Sequence, residues 1–372
     1  MKQYLKLLQD IKDYGTEKPA ARENMPGTTS LFGYQNKYDL ADGFPLLTTK
    51  EIKFEHIVTE LLWFLRGDTN IKYLVDNNCN IWNEDAYNYY VKEVEKNKEG
   101  EPMPLSRFIE LIKGNTEEVD VLTNWFPRYK LGDCGHQYGK TWRKWEKGPY
   151  KVIGHSGRQN EWGVEIIDQI QNLIHNLTNS PQSRRHILTS IDPTHDDDLA
   201  LYWCHALTQF NCRPIQYGST HPHLIKYDLK PSEVQQFVKD NDFPTHYLDC
   251  QMYQRSADVF LGVPYNIASY ALLTEILCKI CNMLPGEFTH TFGDVHIYDN
   301  HKEQVDKLLK RTPSKLPQLK FEWGFSHHMV QWGVGDVWGT SEMLETLQPE
   351  WFTLENYNPQ EKIKAKLSTG LK

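Results

Sequence analysis

The chain has 372 residues, of which 39% are apolar and 24% are charged, and its formal net charge is −8. That length can bury a substantial core, and the composition is typical of a soluble globular protein rather than a disordered or membrane protein. The negative charge argues against sequence-independent binding to nucleic acid, which needs clustered Lys and Arg to neutralise phosphates. We expect a packed, enzyme-sized protein with no nucleic-acid partner.

The amino-terminal residues predict an amphipathic helix, because Tyr4, Leu8 and Ile11 share one helical face with charges between them. The segment lacks the continuous apolar core of a signal peptide. No apolar run approaches the roughly 20 residues that a membrane-spanning helix requires. We therefore expect a cytoplasmic protein with no membrane association.

A second amphipathic helix is predicted over about residues 53–66, where apolar residues recur at helical spacing and Gly67 ends the pattern. Glu60 lies within this helix, where a solvated helix face is its simplest explanation. From residue 86 to 133 the chain becomes charged and irregular, with one short helical pattern near 108–112. We interpret 86–133 as an insertion.

Three later segments predict neighbouring strands, since each is rich in β-branched, aromatic or alternating apolar residues. They are PQSRRHILTSI, ALYWCHALTQF and YLDCQMYQRSADVFLG. A polar, proline-containing stretch at 213–246 separates the last two, and its length indicates a second insertion rather than a hairpin turn. A helix at about 266–283 follows, and PGEFTHTFGDVHIYDNH predicts a further strand and turn.

The seven cysteines are odd in number and scattered, so we expect reduced thiols rather than a disulfide framework. Cys278 and Cys281 form a CxxC inside a long apolar helical pattern, where core packing explains them better than metal binding or redox chemistry. The histidine-containing polar runs at 195–198 and 221–223 are typical of solvated loops, and no third ligand has convincing spacing. We predict no metal site.

Cys204 is the strongest candidate for chemistry. It lies inside a predicted strand, and its thiolate would be a strong nucleophile if positive charge lowered the pKa of the thiol. A lone cysteine in a strand is more often structural than catalytic. Arg184 and Arg185 open one predicted strand and Arg255 lies on another, so converging guanidinium groups would form a phosphate site and favour the thiolate. Exposed arginines at strand ends are the alternative.

Four motifs in order resemble the thymidylate synthase family, which includes the pyrimidine nucleotide hydroxymethylases. They are ELLWFLRGDTNI, SRR upstream of CH, QRSADVFLGVPYNIASYALL and FGDVHIYDNH. The resemblance covers most of the chain. It implies an α/β (α+β) fold with a large mixed β-sheet packed by helices, a single domain over 1–372 with insertions at about 86–133 and 213–246, and a sheet-to-sheet homodimer.

The resemblance also implies the catalytic roles. Cys204 would attack ring carbon 6 of dUMP, Glu60 would act as general acid/base through ordered water, and Tyr138 would lie near the proton that leaves carbon 5. Asn266 would bind the pyrimidine edge, and its amide both donates and accepts, which suits uracil. Cytosine-specific relatives resemble this pattern with Asp at that position. A helix N-cap is the alternative role for Asn266.

The other implied residues bind the two substrates, dUMP and 5,10-methylenetetrahydrofolate. The nucleotide ligands would be Arg184, Arg185, Arg255, Ser256, Asn266, His296, Tyr298 and Arg22, and the folate ligands would be Asp258, Trp82, Lys50 and Gly262. In that family the arginine pair comes from the second subunit, whereas His296 and Tyr298 hold the 3′-hydroxyl. Ungapped counting puts Glu23 where the phosphate-loop arginine belongs, so Arg22 fits only with a one-residue shift.

Two products are compatible with these residues. Hydride transfer from the folate to the exocyclic methylene would give dTMP and dihydrofolate, whereas water would give 5-hydroxymethyl-dUMP and tetrahydrofolate. Asp85 stands where the synthases usually carry a second Trp, Trp203 replaces the usual Pro before the nucleophile, and the chain ends in a long polar tail, IKAKLSTGLK. These departures favour hydroxymethylation by a dUMP hydroxymethylase, which would suit a virus with modified DNA.

Thymidylate synthase is the enzymatic alternative. A nucleotide- or RNA-binding regulator built on the same fold is the non-enzymatic alternative. The presence of Cys204, Glu60 and Tyr138 argues against that regulator, because binding alone would not need them.

Overall fold

The computed structural model describes residues 1–20, 25–95, 101–114, 129–153, 159–322 and 343–368. The described strands, in chain order, are β1 (Thr16–Lys18), β2 (Thr28–Asp39), β3 (Trp145–Ile153), β4 (Gln159–Ile167), β5 (Ile187–Thr189), β6 (His205–Pro214), β7 (His246–Asp258), β8 (Leu284–Tyr298), β9 (Gln318–Phe321) and β10 (Phe352–Glu355).

We label the following α-helices in chain order: α1 (Lys2–Tyr14), α2 (Phe54–Leu65), α3 (Lys72–Asp76), α4 (Asn83–Tyr90), α5 (Leu105–Lys113), α6 (Tyr138–Arg143), α7 (Gln169–Asn179), α8 (Val234–Asp240), α9 (Gly262–Cys281) and α10 (Lys302–Leu309). No helix in the described ranges is long and apolar enough to cross a bilayer.

A six-stranded mixed sheet organises the molecule, with the strand order β1-β2-β8-β7-β6-β5. Strands β7 and β8 pair in parallel, whereas the other neighbours are antiparallel. A parallel pair needs a crossover connection. Helix α9 supplies it, and this mixed sheet with its packed helices confirms the predicted fold class.

The helices cover one face of the sheet. Tyr4, Leu8 and Ile11 of α1 are fully buried, as the amphipathic pattern of the sequence predicts. Helix α9 is buried on almost every side, because it lies between the sheet and helices α2 and α7. A helix enclosed in this way carries apolar residues around its whole circumference.

The opposite face of the sheet is open in the single chain. Leu207 on β6 and Tyr253 on β7 are 40% and 37% exposed. Beside them runs a polar row, in which the amides of Gln35 and Gln251 both donate to the hydroxyl of Thr291 at 2.8 and 3.1 Å. This face therefore combines satisfied polar groups with partly exposed apolar side chains.

Three element boundaries differ from the sequence-based predictions. Arg184 and Arg185 precede β5 rather than opening it, and Cys204 immediately precedes β6 rather than lying inside it. Helix α9 begins at Gly262, earlier than predicted, because Pro264 is tolerated in a first helical turn, where backbone N–H groups have no intrahelical partner. Asn266 is therefore inside the helix, and its alternative role as an N-cap is wrong.

The two stretches interpreted as insertions pack differently. Helix α5 in the first stretch buries Phe108, Leu111 and Ile112 in the main apolar core. In the second stretch, Val234 and Val238 of α8 form a small separate cluster with Leu224.

Candidate active site

Cys204 is held by its backbone at the beginning of β6. The phenol oxygen of Tyr138, on α6, accepts the backbone N–H of Cys204 at 2.8 Å and that of His205 at 3.2 Å. The carbonyl of Cys204 accepts the backbone N–H of Arg255 at 2.9 Å. The strand ladder and one buried tyrosine therefore fix the position of the thiol.

The guanidinium of Arg255 lies against the thiol. Its Nη2 is 3.7 Å from Sγ of Cys204, while Nε donates to the carbonyl of Trp203 at 2.6 Å and Nη2 to that of Tyr202 at 2.9 Å. Burial raises the pKa of the Cys204 thiol, the Arg255 charge lowers it, and the Asp85 carboxylate raises it further. The cation thus opposes part of the cost of forming a thiolate here.

Glu60 faces the same region from α2. Burial raises the pKa of Glu60 to about 7, although Trp82 opposes the shift by donating its Nε1–H to the carboxylate at 2.7 Å. Trp82 is itself held by edge contacts with Trp63 and Phe64. A carboxyl group with this pKa can accept and release protons at neutral pH, so the solvated-face explanation of Glu60 does not hold.

A buried hydrogen-bond chain orients Asn266. Gln254, on β7, donates its amide to the side-chain oxygen of Asn266 at 3.1 Å and to the carbonyl of Ser256 at 3.0 Å. His290, on β8, donates to the amide oxygen of Gln254 at 2.8 Å. The Asn266 amide nitrogen and one lone pair of its oxygen remain for a ligand with the donor and acceptor pattern of uracil.

Gln254 and His290 have no assigned role in the sequence-based prediction. Alternation along the strand puts the side chain of Gln254 on the opposite face from its neighbour Arg255. A glutamine on the buried face of an apolar strand is a signal of a polar network, because buried amides need partners. His290 lies on the neighbouring parallel strand, and only the strand register brings it to Gln254.

His296 and Tyr298 share one face of β8, and their rings meet edge to face at 4.8 Å. The Nδ1 of His296 lies 2.9 Å from Asp294, and the hydrogen bond from His296 is the main reason that the pKa of Asp294 falls to about 2. The Nε2 of His296 is buried and has no partner within the described residues. It is available to a ligand hydroxyl.

Three of the residues that the resemblance implies for folate binding lie where β7 ends and α9 begins. Asp258 ends β7, and its Oδ1 accepts the backbone N–H groups of Phe260 and Leu261 at 2.9 and 3.2 Å. The ammonium of Lys50 is buried over the Phe260 ring, 3.7 Å from the centroid, and burial lowers its pKa to about 7. Gly262 follows at the start of α9.

Arg184 and Arg185 are not part of this cluster in the single chain. Both are exposed, and neither guanidinium has a hydrogen bond or ion pair among the described residues. The pair is therefore available at the open sheet edge beside β5. Arg22 lies outside the described residues.

Trp203 and Asp85, two of the departures from the family pattern, lie in different environments. Trp203 is fully buried, and its Nε1 has no hydrogen-bond partner within the described part of the chain. Burial raises the pKa of Asp85 to about 6, and Glu84 adds to the shift. Asp85 thus presents a carboxyl group, on α4, that is protonated in part near neutral pH.

The carboxyl-terminal tail is bound along the body up to Ser368. The phenol of Tyr357 donates to the carbonyl of Leu47 at 3.0 Å, and the backbone of Gln360 donates to that of Thr48 at 2.8 Å. Arg311 donates to the carbonyl of Glu361 at 2.6 Å. We call residues 357–368 the docked tail. The polar sequence therefore does not keep this part of the tail from docking on the body of the protein, and 369–372 lie outside the described residues.

His136, His195 and Asp198 form a trio of potential metal ligands. One ligand atom each from His136, His195 and Asp198 lies within 4.8 Å of the others. The two imidazole rings stack at 3.6 Å with an interplanar angle of 10°, so their in-plane lone pairs run parallel instead of converging. Asp198 also accepts the hydroxyl of Tyr89 at 2.6 Å. This geometry does not meet the requirement that metal ligands converge on one point.

Comparison with known proteins gives consistent matches over the whole chain. A family model described as thymidylate synthase matches residues 2–369. A thymidylate synthase of Listeria monocytogenes serotype 4b is 37% identical over 378 residues, covering 99% of this chain and 100% of the relative. A thymidylate synthase of Mesoplasma florum is 42% identical over 320 residues, covering 86% and 89% of the two chains.

Proposed function

Because the chain belongs to the thymidylate synthase family, we propose that it catalyses the reductive methylation of dUMP, with 5,10-methylenetetrahydrofolate as cosubstrate. The products are dTMP and dihydrofolate. This proposal reverses the sequence-based preference for hydroxymethylation. The relatives matched over their full length are named thymidylate synthase.

The observation that carries the chemistry is the position of Cys204 between Arg255 and Tyr138. Addition of the thiolate to carbon 6 of uracil pushes an electron pair to carbon 5, which then attacks the methylene carbon of the cosubstrate. Arg255 would supply positive charge to the thiolate and to the nucleotide phosphate. The covalent adduct divides one difficult substitution into easier steps.

Proton transfer is proposed for Glu60. With its pKa raised to about 7, the carboxyl group can pass a proton to or from the pyrimidine through water. Asn266, oriented by Gln254, would hold the uracil edge during these steps. Loss of the carbon 5 proton and release of the folate nitrogen leave the exocyclic methylene, which accepts hydride from the bound tetrahydrofolate and becomes the methyl group. The electron pair of the methylene double bond restores the 5,6 double bond of the pyrimidine and expels the Cys204 thiolate from carbon 6.

Hydride transfer requires that water stay away from that methylene. The contacts of the docked tail support this requirement, because they hold the chain from Tyr357 to Ser368 along the body. Asp85 favours the second candidate, hydroxymethylation, since a polar carboxyl group can retain water near Cys204. The two functions differ only in this last step.

Product analysis separates the candidates. Purified protein is incubated with dUMP and methylenetetrahydrofolate, dihydrofolate is followed by absorbance, and the nucleotide is identified by mass spectrometry. We expect dTMP and dihydrofolate in equal amounts. 5-Hydroxymethyl-dUMP with tetrahydrofolate would replace the proposal by the second candidate. A C204S variant controls for background, and activity retained in that variant would exclude the covalent mechanism.

We also propose a homodimer formed through the open face of the sheet, with Arg184 and Arg185 entering the partner's site. The exposed apolar side chains on that face and the two unpaired guanidinium groups support this arrangement. Two inactive variants, C204S and the double variant R184A/R185A, provide the test. After unfolding and refolding together, heterodimers carry one intact site, so about a quarter of the original activity should return. No recovery would refute shared sites.

A further inference from the structure

His301 lies at the junction of the folate-binding region and the docked tail. It ends the short 3₁₀ turn Asp299–His301 that follows β8 and precedes α10, and its side chain is fully buried. Its Nε2 lies 2.8 Å from the carbonyl oxygen of Lys366 in the tail, and its Nδ1 lies 3.8 Å from Oδ1 of Asp258. One imidazole therefore faces both the docked tail and Asp258 of the folate-binding region.

The carbonyl contact determines the proton on one nitrogen of His301. A carbonyl oxygen can only accept, so Nε2 carries a hydrogen that it donates to Lys366. In the neutral ring Nδ1 then presents a lone pair to the Asp258 carboxylate, which is repulsive. A second proton on Nδ1 turns this contact into an attraction between opposite charges.

The surroundings of His301 favour that second proton. Burial lowers the pKa of His301, but the Asp258 carboxylate and the Lys366 carbonyl more than compensate, so the pKa lies above its ordinary value. Lys50 is the neighbouring cation that opposes protonation, and its own pKa is lowered to about 7 by burial. The rings of Phe260 and Tyr298 enclose the remaining sides at 5.6 and 5.7 Å.

We infer that His301 is a positioning residue that couples the docking of the tail to the orientation of Asp258. All hydrogen bonds and ion pairs described for Asp258 use Oδ1, which leaves Oδ2 for the pterin edge. Folate binding at Oδ2 and tail docking at Lys366 then stabilise each other through the imidazolium, because coupling between two binding events is reciprocal. This inference rests on the proposed function for the identity of the folate ligand.

Two variants distinguish the contact of the imidazole with Lys366 from its contact with Asp258. In H301Q the amide nitrogen lies near the position of Nε2 and can still donate to Lys366, but the charge is lost. In H301N the amide lies near the position of Nδ1, so the bond to the tail is lost. H175Q serves as the control, because His175 lies on the exposed face of α7 and belongs neither to the folate-binding region nor to the docked tail.

Tail docking is measured by hydrogen exchange of the amides in 363–368, expressed as protection factors, with dUMP and tetrahydrofolate bound. For H301N we expect protection to fall roughly tenfold and the KM for methylenetetrahydrofolate to rise by a similar factor, as loss of a charge-assisted hydrogen bond predicts. The affinity for dUMP should not change, which also verifies folding. For H301Q protection should stay within about twofold of the original value at high pH.

The pH dependence gives a second readout. Since the charged form of His301 holds the tail more strongly than the neutral form does, protection in the unaltered protein should fall as pH rises through the pKa of this residue, and both variants should lose that dependence. Unchanged protection and unchanged folate KM in H301N would overturn the inference, as would a change in folate KM without a change in tail protection. The exchange measurement needs no turnover, so a failure of the proposed reaction would be seen separately.

Discussion

Replacing Trp82 by Phe should shift the pH–rate profile to higher pH. The indole Nε1–H donates to the Glu60 carboxylate at 2.7 Å and lowers a pKa that burial has raised to about 7. A hydrogen bond to a charged group contributes about 1.5–3 kcal/mol, and one pKa unit corresponds to about 1.4 kcal/mol. W82F should therefore raise the pKa of Glu60 by about one to two units.

The sign of the shift follows from the proposed role of Glu60 as a base. Activity is lost as pH falls through the pKa of a required carboxylate, so a higher pKa moves the acidic limb of kcat/KM toward higher pH. At a pH one unit below the new pKa, the rate should fall about tenfold relative to the plateau.

Trp63 offers a matched control. It lies in the same aromatic cluster, and its Nε1–H donates to the carbonyl of Asn70 at 2.9 Å instead of to Glu60. W63F removes an equivalent indole hydrogen bond without touching the carboxylate. If W82F left the acidic limb in place, or if W63F shifted it equally, the assignment of Glu60 as the titrating base would be incorrect.

Three further predictions concern neighbouring groups. The folded-state pKa of Glu60 is about 7, above its ordinary 4.5, so its stabilising contribution is complete below pH 4.5 and is lost as pH rises through 7. E60Q should therefore raise the unfolding free energy at pH 8 by on the order of 1–3 kcal/mol, as measured by urea denaturation. A less stable variant would contradict this prediction. Gln254→Leu removes the partner of Asn266 and His290, so calorimetry should find dUMP bound roughly tenfold more weakly, and unchanged affinity would exclude the orienting role. Y138F leaves two backbone N–H groups without their acceptor and should lower the unfolding free energy by about 2–4 kcal/mol, whereas a loss below 1 kcal/mol would mean that water replaces the phenol.

Much of the fold follows from local patterns. Apolar spacing predicts α2 to within a residue or two, since the buried stripe of a helix repeats every few residues. The boundary at Cys204 is different. The sequence predicts a strand through this residue, but the ladder begins at His205, because the backbone N–H groups at 204 and 205 turn to the phenol of Tyr138, 66 residues away along the chain.

The residues of the candidate site also divide into those that the sequence indicates and those that only the structure reveals. The sequence by itself singled out Cys204 and Arg255 as candidates, and its resemblance to the family added Glu60 and Asn266, because reactive and charged residue types in ordered motifs are visible without coordinates. It did not single out Gln254, His290 or His301, whose contacts arise from strand register and from a turn that meets the tail.

Only the tertiary structure decided the environment of these groups. The helical pattern alone predicted a solvated Glu60, and the departure from the family's ending predicted a tail too polar to close, whereas burial and specific partners give a carboxyl group with a pKa of about 7 and a tail bound to the body. The physical reason is that ionisation and docking depend on desolvation and on contacts between distant segments, neither of which is encoded in local spacing.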